Sequence, residues 1–567
     1  MKPLSHHIAN LLSEALRAAQ ASAVLPAFEP PTIVIERPKR EGQGDYASPV
    51  AMSLAKALSR KPREVAEAVV QHLPPAPFIA QAEIAGPGFI NFTLSDDFLR
   101  QQVETIIALG DDWAKLDLFV GKRAQVEFVS ANPSGPITVG HTRNAVLGDA
   151  IARVLEAAGY QVQREYYFNN AGNQMVMLGQ SVQARYLQIL GQSAELPENG
   201  YQGEYIIDLA RDLVQEHGDS LREADWKVFK DYAEARMFAW IKRSLALIDI
   251  QHDAFFNENS LFENGEVWRT LEILRENGYI YSAAEWEGAS EEEKAKAAGR
   301  APAQWFRSTR FGDDKDRVLV KSDGVPTYTL PDIAYHRNKI ERGFDLMVNV
   351  LGADHGQQYK VVANGIRALG LDPSKIKVIL YQMVRIMRNG VEVRMSKRKG
   401  NFDTLDDLVE QTSADAVRYH LLGRSPGTTI DFDLDAVVKQ SNENPVYYIQ
   451  NAHVRCAGIA REAAARGLDD TEADLSLLGQ AELKFLRKAL ELSEVIELAA
   501  TEYEPHRLAY YAQELAALFH PLYDEVRALH SDVEPQVARA RLRFYRAARL
   551  VFRRVLRLMG MSAPERM

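Results

Sequence analysis

Cysteine is almost absent from this chain of 567 residues, in which Cys456 is the only one. A single cysteine excludes an internal disulfide and a cysteine-based zinc cluster, and it fits a reducing compartment. Long apolar runs are absent too, since none approaches the roughly 18 residues of a membrane span. His6, His7, Glu14 and Arg17 interrupt the first apolar positions, which excludes a secretory signal. We therefore expect a cytoplasmic protein that does not bind a membrane.

An excess of basic residues is lacking as well. The chain has 67 Lys and Arg against 77 Asp and Glu, which gives a net charge of -10. This total argues against a nucleic-acid partner. Nucleic-acid binding responds to the local electric field, however, so the distribution of charge along the chain determines whether such binding is possible. The chain is too long for one core, and about 150 residues per domain predicts three or four domains.

The N-terminal part shows helical spacing followed by short strand patterns. Residues 32–35 are predicted to be a strand, and Gly86-Pro87-Gly88 marks a tight turn before a second strand at 89–93. We predict an N-terminal α+β domain over residues 1–112.

The middle of the chain alternates strand and helix. A strand at 126–129 leads through a loop into a helix that stops at Gly159, and a strand follows at 160–168. Such a βαβ unit implies a parallel sheet. Further strands are predicted at 346–351 and 377–381. A helical insertion over about 175–300 separates the two parts of this α/β domain, which spans residues 113–390.

Two later patterns complete the organisation. Asn389-Gly390 lies between two alternating apolar stretches, which is a strong hairpin signal. Beyond about residue 440 the chain shows long apolar stripes at helical spacing to its end. We predict a connecting region over 391–440 and an all-α helical bundle over 441–567.

Thr138-Val139-Gly140-His141 lies where the first strand of the βαβ unit turns into its helix. A helix N-terminus leaves backbone N–H groups unpaired, and Gly140 lets a nucleotide approach the backbone closely. Phosphates fit this position, and His141 can donate to a phosphate oxygen as charge moves to a leaving pyrophosphate. Four residues are a weak pattern, and a structural turn histidine is the alternative.

A basic loop, Arg394-Met395-Ser396-Lys397-Arg398-Lys399-Gly400, follows the predicted hairpin. Its cations could close over a triphosphate and neutralise it, most strongly in the transition state. An exposed basic loop without chemistry is the alternative.

Gly352-Ala353-Asp354-His355-Gly356 follows the strand at 346–351. The carboxyl end of a parallel strand is where ribose hydroxyls are often held. A turn stabilised by Asp354 alone is the alternative.

The first two of these motifs, in this order, resemble the HIGH and KMSKS signatures of class I aminoacyl-tRNA synthetases. The resemblance implies a doubly wound Rossmann-type sheet with ATP bound between the signatures, and catalytic roles for His141 and Lys397. The ATP contacts that it implies are Thr138, Gly140, His141, Asp354, His355, Met395, Ser396 and Lys397. Thr138 replaces the first His of HIGH, and Arg394 and Arg398 replace the first Lys and the last Ser of KMSKS.

Longer segments resemble the arginyl-tRNA synthetase family over essentially the whole chain. They are residues 126–133, 166–174, 328–332 and 562–567. The family resemblance implies that ATP is a substrate, that Mg²⁺ assists, and that arginine is transferred to the 3′-terminal adenosine of tRNA-Arg. It also implies first transfer to the 2′-hydroxyl and arginine activation that requires bound tRNA. Asn170 stands where the family commonly has Asp.

The chemistry of arginine supports this assignment independently. A guanidinium presents a planar fork of donors that carboxylates hold best, and Glu127 and Asp332 can supply them. Asp332 lies one helical turn after Tyr328, so both can point from one face. The resemblance implies that Tyr328 and Asp332 contact the guanidinium and that Glu127 and Asn132 complete the arginine site. A helix-capping Asp332 with a core Tyr328 is the alternative.

Basic residues cluster near the C-terminus. Eight arginines lie between residues 539 and 557 with no acidic residue among them, and apolar residues interleave at helical spacing. An arginine-rich helix face suits an RNA backbone, and we expect Arg546, Arg549 and Arg553 to contact phosphates. A solvated basic helix is the alternative.

The resemblance assigns tRNA contacts at both ends of the chain. It makes residues 441–567 an anticodon-binding domain, with Tyr448, Arg455 and Met567 in or near the anticodon pocket. It makes residues 1–112 a module that meets the tRNA elbow, with Phe89 and Asn91 reading a D-loop base. Asn451 stands where the family often has Tyr.

These predictions describe a monomeric enzyme whose partners are tRNA-Arg, L-arginine and ATP, with no resident metal site. One rival is a class I synthetase for another amino acid: the paired carboxylates disfavour an apolar substrate, whereas lysine is harder to exclude. The other rival is a non-catalytic RNA-binding paralogue, which should have lost His141, Lys397 or Asp332, and all three are present.

Overall fold

The computed structural model describes residues 1–38, 40, 42–393 and 404–567. These form two compact units. The first comprises Met1–Val120, Ala157–Gly159 and Lys439–Met567, and the second comprises Gly121–Glu156 and Tyr160–Val438.

The first unit begins with an α+β segment. Its elements are α1 (Leu4–Ala21), β1 (Tyr46–Ser48), α2 (Val50–Ala55), α3 (Pro62–Gln71), β2 (Ile79–Ala85), β3 (Phe89–Leu94) and α4 (Asp96–Leu109). The strands form an antiparallel sheet in the order β1-β3-β2. The strand predicted at 32–35 is wrong: Pro30 and Pro31, which supply no N–H, precede this segment, and it is followed only by an isolated bridge from Glu36 to Ala47.

The second unit contains the longest series of elements. They are β4 (Arg123–Glu127), α5 (Val139–Ala157), β5 (Gln161–Phe168), α6 (Asn173–Ile189), α7 (Glu204–His217), α8 (Trp226–Leu247), β6 (Ala254–Asn257), α9 (Asn259–Glu263), α10 (Glu266–Glu276), β7 (Ile280–Ala283), α11 (Glu291–Ala297), β8 (Ala303–Phe306), β9 (Arg317–Val320), α12 (Thr329–Glu341), β10 (Leu346–Gly352), α13 (Gly356–Ala368), β11 (Ile376–Tyr381), β12 (Val384–Arg388), β13 (Val391–Glu392), α14 (Leu405–Gln411), α15 (Ala414–Leu422), β14 (Ile430–Asp433) and α16 (Leu434–Val437).

A five-stranded parallel sheet is the centre of this unit. Its strand order is β11-β10-β4-β5-β6. Helix α5 makes the crossover from β4 to β5, as the sequence predicts. Strand β6 lies inside the stretch predicted as a helical insertion, yet it adds an edge strand to the sheet. The predicted α/β architecture with a parallel sheet is confirmed.

The insertion forms its own core, and its strand β7 joins a small sheet whose other strands, β8 and β9, lie beyond residue 300. Helices α6, α7 and α8 pack around buried apolar side chains that include Met175, Leu178, Leu209, Phe229 and Met237. Strands β7, β8 and β9 form a separate antiparallel sheet. Only the first half of the insertion is therefore purely helical.

The predicted Asn-Gly hairpin is confirmed. Strands β12 and β13 pair antiparallel, and Asn389 and Gly390 adopt φ angles of 51° and 74° between them. Left-handed backbone at both central positions is what a two-residue hairpin with the favoured twist requires. Strand β14 then pairs parallel with β12.

The first unit ends in helices, as predicted. They are α17 (Pro445–Ala465), α18 (Gln480–Leu490), α19 (Leu492–Thr501), α20 (His506–Glu525) and α21 (Pro535–Leu558). Phe485, Phe519 and Phe552 meet in the core of this bundle, with ring centroids 5.1 to 5.9 Å apart. Across the described ranges, no helix is both long and apolar enough to cross a membrane.

Gly148 allows helix α5 to lie close to the end of strand β4. A Cβ atom at this position would overlap Cβ and Cγ of Phe128, which is fully buried. We expect Gly148→Ala to lower the free energy of unfolding by about 1 to 3 kcal/mol, because an overpacked core must shift. Gly427→Ala is the matched control, since nothing lies within 4 Å of its Cβ position. Equal denaturant midpoints for the two variants would contradict this packing argument.

Candidate active site

A cavity of about 910 Å³ lies at the carboxyl ends of β4 and β10. This is the edge of a parallel sheet at which ligands bind in open α/β folds. Eight of the predicted site residues line it. They are Glu127, Thr138, Gly140, His141, Tyr328, Asp332, Asp354 and His355. Residues from three distant parts of the sequence are thus brought to one cavity.

The turn that follows β4 is strained. Val129 and Ser130 have φ angles of 67° and 47°, a region that β-branched residues rarely adopt. The Asn144 side chain stabilises this turn, because its Oδ1 accepts from the Val129 amide at 2.6 Å and its Nδ2 donates to the Val350 carbonyl at 2.8 Å. Sequence analysis missed Asn144, although an Asn three residues after His141 on the same predicted helix was a usable signal.

The N-terminus of α5 forms one end of the cavity. Thr138 Oγ1 lies 3.0 Å from His141 Nδ1, so the residue that replaces the first His of HIGH contacts the second. Gly140 faces open space, since a Cβ atom there would meet only Thr138 Oγ1, at 3.7 Å. The arrangement offers helix N–H groups, a hydroxyl and an imidazole to an anion.

The wall of the cavity also includes the Asp332 carboxylate, on α12. Its Oδ2 accepts a hydrogen bond from Gln358 Nε2 at 2.6 Å. Burial, together with the nearby Glu258 carboxylate, raises the pKa of Asp332 to about 7. Tyr328 is 81% exposed where it lines the cavity, so it is not a core residue. Asp332 is likewise no helix cap, because Tyr328 holds the N-cap position of α12.

Glu258 is a second carboxylate near this wall that sequence reasoning missed. It is buried, and it accepts from Tyr167 Oη at 2.6 Å and Asn169 Nδ2 at 2.8 Å. Burial raises the pKa of Glu258. Among the described residues, no Lys or Arg forms an ion pair with Glu258 or Asp332. Of these two carboxyl groups, only Asp332 lines the cavity, and Glu258 lies near it.

Glu127, in contrast, already has a cationic partner. Its Oε2 accepts from Lys339 Nζ at 2.5 Å, and its Oε1 accepts from Ser130 Oγ at 3.2 Å. Asn132 does not line the cavity: its Nδ2 donates to Gln174 Oε1 at 2.9 Å, and its Oδ1 accepts from the Asn169 amide at 3.0 Å. Sequence reasoning missed Lys339 because no local pattern joins it to Glu127.

The turn after β10 carries Asp354 and His355, the last two predicted site residues that line the cavity. Asp354 and His355 are exposed, with His355 Nε2 3.8 Å from Asp354 Oδ2. Both side chains can reach a ligand from the cavity mouth. The predicted ATP contacts Met395, Ser396 and Lys397 lie outside the described residues.

The arginine-rich helix α21 belongs to the first unit, and its predicted RNA contacts have protein partners there. Arg546 Nη1 lies 3.4 Å from Asp470 Oδ2, and Arg553 Nε lies 2.8 Å from Asp111 Oδ1. Arg549 pairs with Glu565. Phosphate binding by these arginines would therefore compete with ion pairs inside the protein.

The other predicted RNA contacts also lie in the first unit. Tyr448 and Arg455 lie on α17, where both contact His520: the rings of Tyr448 and His520 are 4.3 Å apart, and Arg455 Nη1 lies 3.1 Å from His520 Nδ1. Met567 is exposed. Phe89 and Asn91 lie on the same face of β3, with Asn91 only 9% exposed.

Comparison with known proteins gives concordant matches. Three family models match: "Arginyl tRNA synthetase N terminal domain" over residues 6–94, "tRNA synthetases class I (R), catalytic domain" over 105–206, and "DALR anticodon binding domain" over 449–567. An arginine–tRNA ligase of Carboxydothermus hydrogenoformans is 42% identical over 560 residues, 97% of each chain. The chain belongs to the arginyl-tRNA synthetase family.

Two further relatives agree with this family. An arginine–tRNA ligase of Anoxybacillus flavithermus is 41% identical over 565 residues, which cover 98% of each chain. The solved structure of Thermus thermophilus arginyl-tRNA synthetase matches with a TM-score of 0.75 over 100% of both chains at 20% identity, which shows a shared fold.

Asp332 should reduce stability in the absence of a ligand. Its pKa of about 7 exceeds that of an unfolded Asp, so the folded state loses stability as pH rises from about 4 to about 7. Asp332→Asn should therefore raise the free energy of unfolding by about 1 to 2 kcal/mol above pH 7, and the gain should vanish below about pH 4. Denaturant titrations at several pH values test this. The exposed Asp354→Asn is the control, and a gain independent of pH would contradict the assignment.

Proposed function

We propose that the chain is an arginine–tRNA ligase that activates arginine with ATP and transfers it to the 3′-terminal adenosine of tRNA-Arg. The observation that carries this proposal is the polarity of the cavity. Its lining includes the N-terminus of α5, which suits phosphates, and the Asp332 carboxyl group, which has no cationic partner among the described residues; the Glu258 carboxyl group lies nearby. An amino acid with a cationic side chain and a nucleotide fit these features of the lining.

The guanidinium of arginine is proposed to lie against Asp332. A carboxylate binds a guanidinium through short, charge-assisted hydrogen bonds worth about 1.5 to 3 kcal/mol each. Tyr328 and Gln358 flank this carboxylate, and the nearby Glu258 adds negative potential. We propose that Glu127 and Asn132 complete the arginine site, Glu127 at the cavity floor and Asn132 by fixing the adjacent loop through Asn169.

ATP is proposed to occupy the end formed by α5 and the turn after β10. The phosphates would bind the N–H groups of the first α5 turn beside Thr138, Gly140 and His141. Asp354 and His355 are positioned for the nucleoside part. We propose that Met395, Ser396 and Lys397 contact the triphosphate, and that Mg²⁺ enters with ATP as its substrate complex.

The chemistry needs no protein nucleophile. A carboxylate oxygen of arginine attacks the α-phosphorus, the bond to the β-phosphate oxygen breaks, and pyrophosphate leaves from arginyl-adenylate. A ribose hydroxyl of the terminal adenosine, the 2′-hydroxyl by class, then attacks the arginyl carbonyl carbon and AMP leaves. His141 and Lys397 stabilise charge on the phosphates, and the remaining acceleration comes from holding both substrates in line.

The first unit is proposed to bind tRNA. Residues 1–112 would meet the tRNA elbow through Phe89 and Asn91, and residues 441–567 would bind the anticodon through Tyr448, Arg455 and Met567. Residues 113–390 would be the catalytic domain and 391–440 its connection to the bundle. We also propose that the protein is a cytoplasmic monomer, because one chain then supplies both the tRNA-binding residues and the catalytic site.

Pyrophosphate exchange with each amino acid, with and without tRNA, tests the function directly. Exchange should depend on arginine, and arginine affinity should increase as pH rises through about 7, because only ionised Asp332 holds the guanidinium. Asp332→Asn should weaken arginine binding by about 2 kcal/mol, or roughly thirtyfold, and leave the KM for ATP within about twofold. Exchange driven by lysine instead, or an unchanged arginine KM in the variant, would refute this substrate assignment.

Helix α21 allows a second test of the RNA proposal. Replacing Arg546, Arg549 and Arg553 together by Gln should weaken tRNA binding and reduce the magnitude of the log–log salt slope by roughly 0.7 to 0.9 per lost phosphate contact.

The matched control replaces the partner carboxylates instead, as Asp111→Asn, Asp470→Asn and Glu565→Gln. This variant breaks the same ion pairs, and also those of Asp470 with Arg543 and of Asp111 with Arg557, but it keeps the arginines. If both variants melt at lower temperature and neither changes the salt slope, the arginines only stabilise the first unit and do not bind RNA.

A further inference from the structure

We propose that Lys339 is a positioning residue for the arginine site, which pairs with Glu127 and holds its carboxylate in one orientation at the cavity floor. This proposal rests on the proposed function, because it concerns how the protein prepares Glu127 for arginine. Lys339 itself does not line the cavity, so it acts through Glu127.

Lys339 is buried and contacts protein groups rather than solvent. It is 0% exposed, its Nζ donates to Glu127 Oε2 at 2.5 Å and to Asn349 Oδ1 at 2.8 Å, and the ammonium lies 4.3 Å from the centre of the Tyr335 ring. The two acceptor oxygens and the aromatic ring hold the buried ammonium group in one position. Glu127 keeps its other oxygen, Oε1, beside Ser130 at the cavity.

A chain of hydrogen bonds determines the orientation of this pair. The Asp332 carbonyl can only accept, so His336 Nδ1 donates to it at 2.7 Å, and His336 Nε2 is left to accept from Asn349 Nδ2 at 2.6 Å. Asn349 Oδ1 must then face Lys339. The chain therefore links the backbone of Asp332 to the carboxylate of Glu127, and both belong to the proposed arginine site.

Among the described residues, no other cation is placed to replace Lys339 at Glu127. The charged and titratable groups around Glu127 in this part of the chain are Tyr335, Lys339 and Asp332 from α12, Arg342 directly after it, and Tyr167 from β5. Arg342 is already paired with Glu165, whose Oε1 accepts from Arg342 Nη2 at 2.8 Å. Loss of Lys339 would leave a buried carboxylate facing another carboxyl group, and Glu127 would take up a proton.

The test is Lys339→Met in the full chain, assayed by arginine-dependent pyrophosphate exchange with tRNA from pH 6 to 9. At pH 7 the KM for arginine should rise about tenfold relative to the parent, and the ratio of variant to parent should fall as pH increases, because Glu127 regains its charge. The KM for ATP should stay within about twofold.

Arg342→Met is the matched control, since Arg342 follows α12 directly and hydrogen-bonds Glu165, not Glu127. It should lower the melting temperature but add no pH dependence to the arginine KM. The double variant Glu127→Gln, Lys339→Met removes the unpaired carboxylate. It should recover stability relative to Lys339→Met, retain the high arginine KM and lose the added pH dependence.

Two outcomes would overturn the proposal. One is an arginine KM in Lys339→Met that equals the parent value at every pH. The other is an added pH dependence that persists in the double variant, which would show that another group titrates. A parent enzyme without arginine-dependent exchange would refute the proposed function itself, which is a different result.

Discussion

The floor of the cavity depends on two ion pairs, one fully buried and one partly exposed, that join helix α12 and the residue after it to the central sheet. Lys339 binds Glu127 and Arg342 binds Glu165, and the two carboxylates lie side by side in one register of the neighbouring strands β4 and β5. Buried charges are tolerated only when they are paired and hydrogen-bonded, so α12 can cover this part of the sheet only where both pairs form. Because α12 also carries Asp332, the same constraint determines where that carboxylate meets the cavity.

Glu127, at the cavity floor, has a cationic partner, whereas Asp332 and Glu258 have none among the described residues. Asp332 and Glu258 accept hydrogen bonds from the neutral side chains Gln358, Tyr167 and Asn169, which satisfy the oxygens but supply no positive charge. Two carboxyl groups in this state cost the empty protein stability, a common relation between binding sites and stability. A guanidinium that enters the cavity would supply the missing charge, so the substrate completes an arrangement that the protein leaves unbalanced.

Features that depend on neighbouring residues could be predicted from the sequence. The β4–α5–β5 unit follows from periodicity, and the hairpin follows from Asn389-Gly390. Contacts between distant segments could not, because no local pattern encodes them: Lys339 lies 212 residues after Glu127, and Arg553 lies 442 residues after Asp111. The arginine-rich helix illustrates the difference, since its sequence shows eight cations without an acid, whereas the fold supplies the acids from elsewhere.

The Asn144 side chain connects three elements that line the cavity: helix α5, the turn after β4, and strand β10. It lies on α5, one turn beyond His141, and it binds the main chain after β4 at Val129 and the main chain of β10 at Val350. The strained backbone at Val129 costs on the order of 1 to 3 kcal/mol, so it persists only because such contacts over-determine it. The two hydrogen bonds of Asn144 connect the first turns of α5 and strand β10 to the turn that follows Glu127. They therefore hold the N-terminus of α5 and the end of β4 in one arrangement at the cavity.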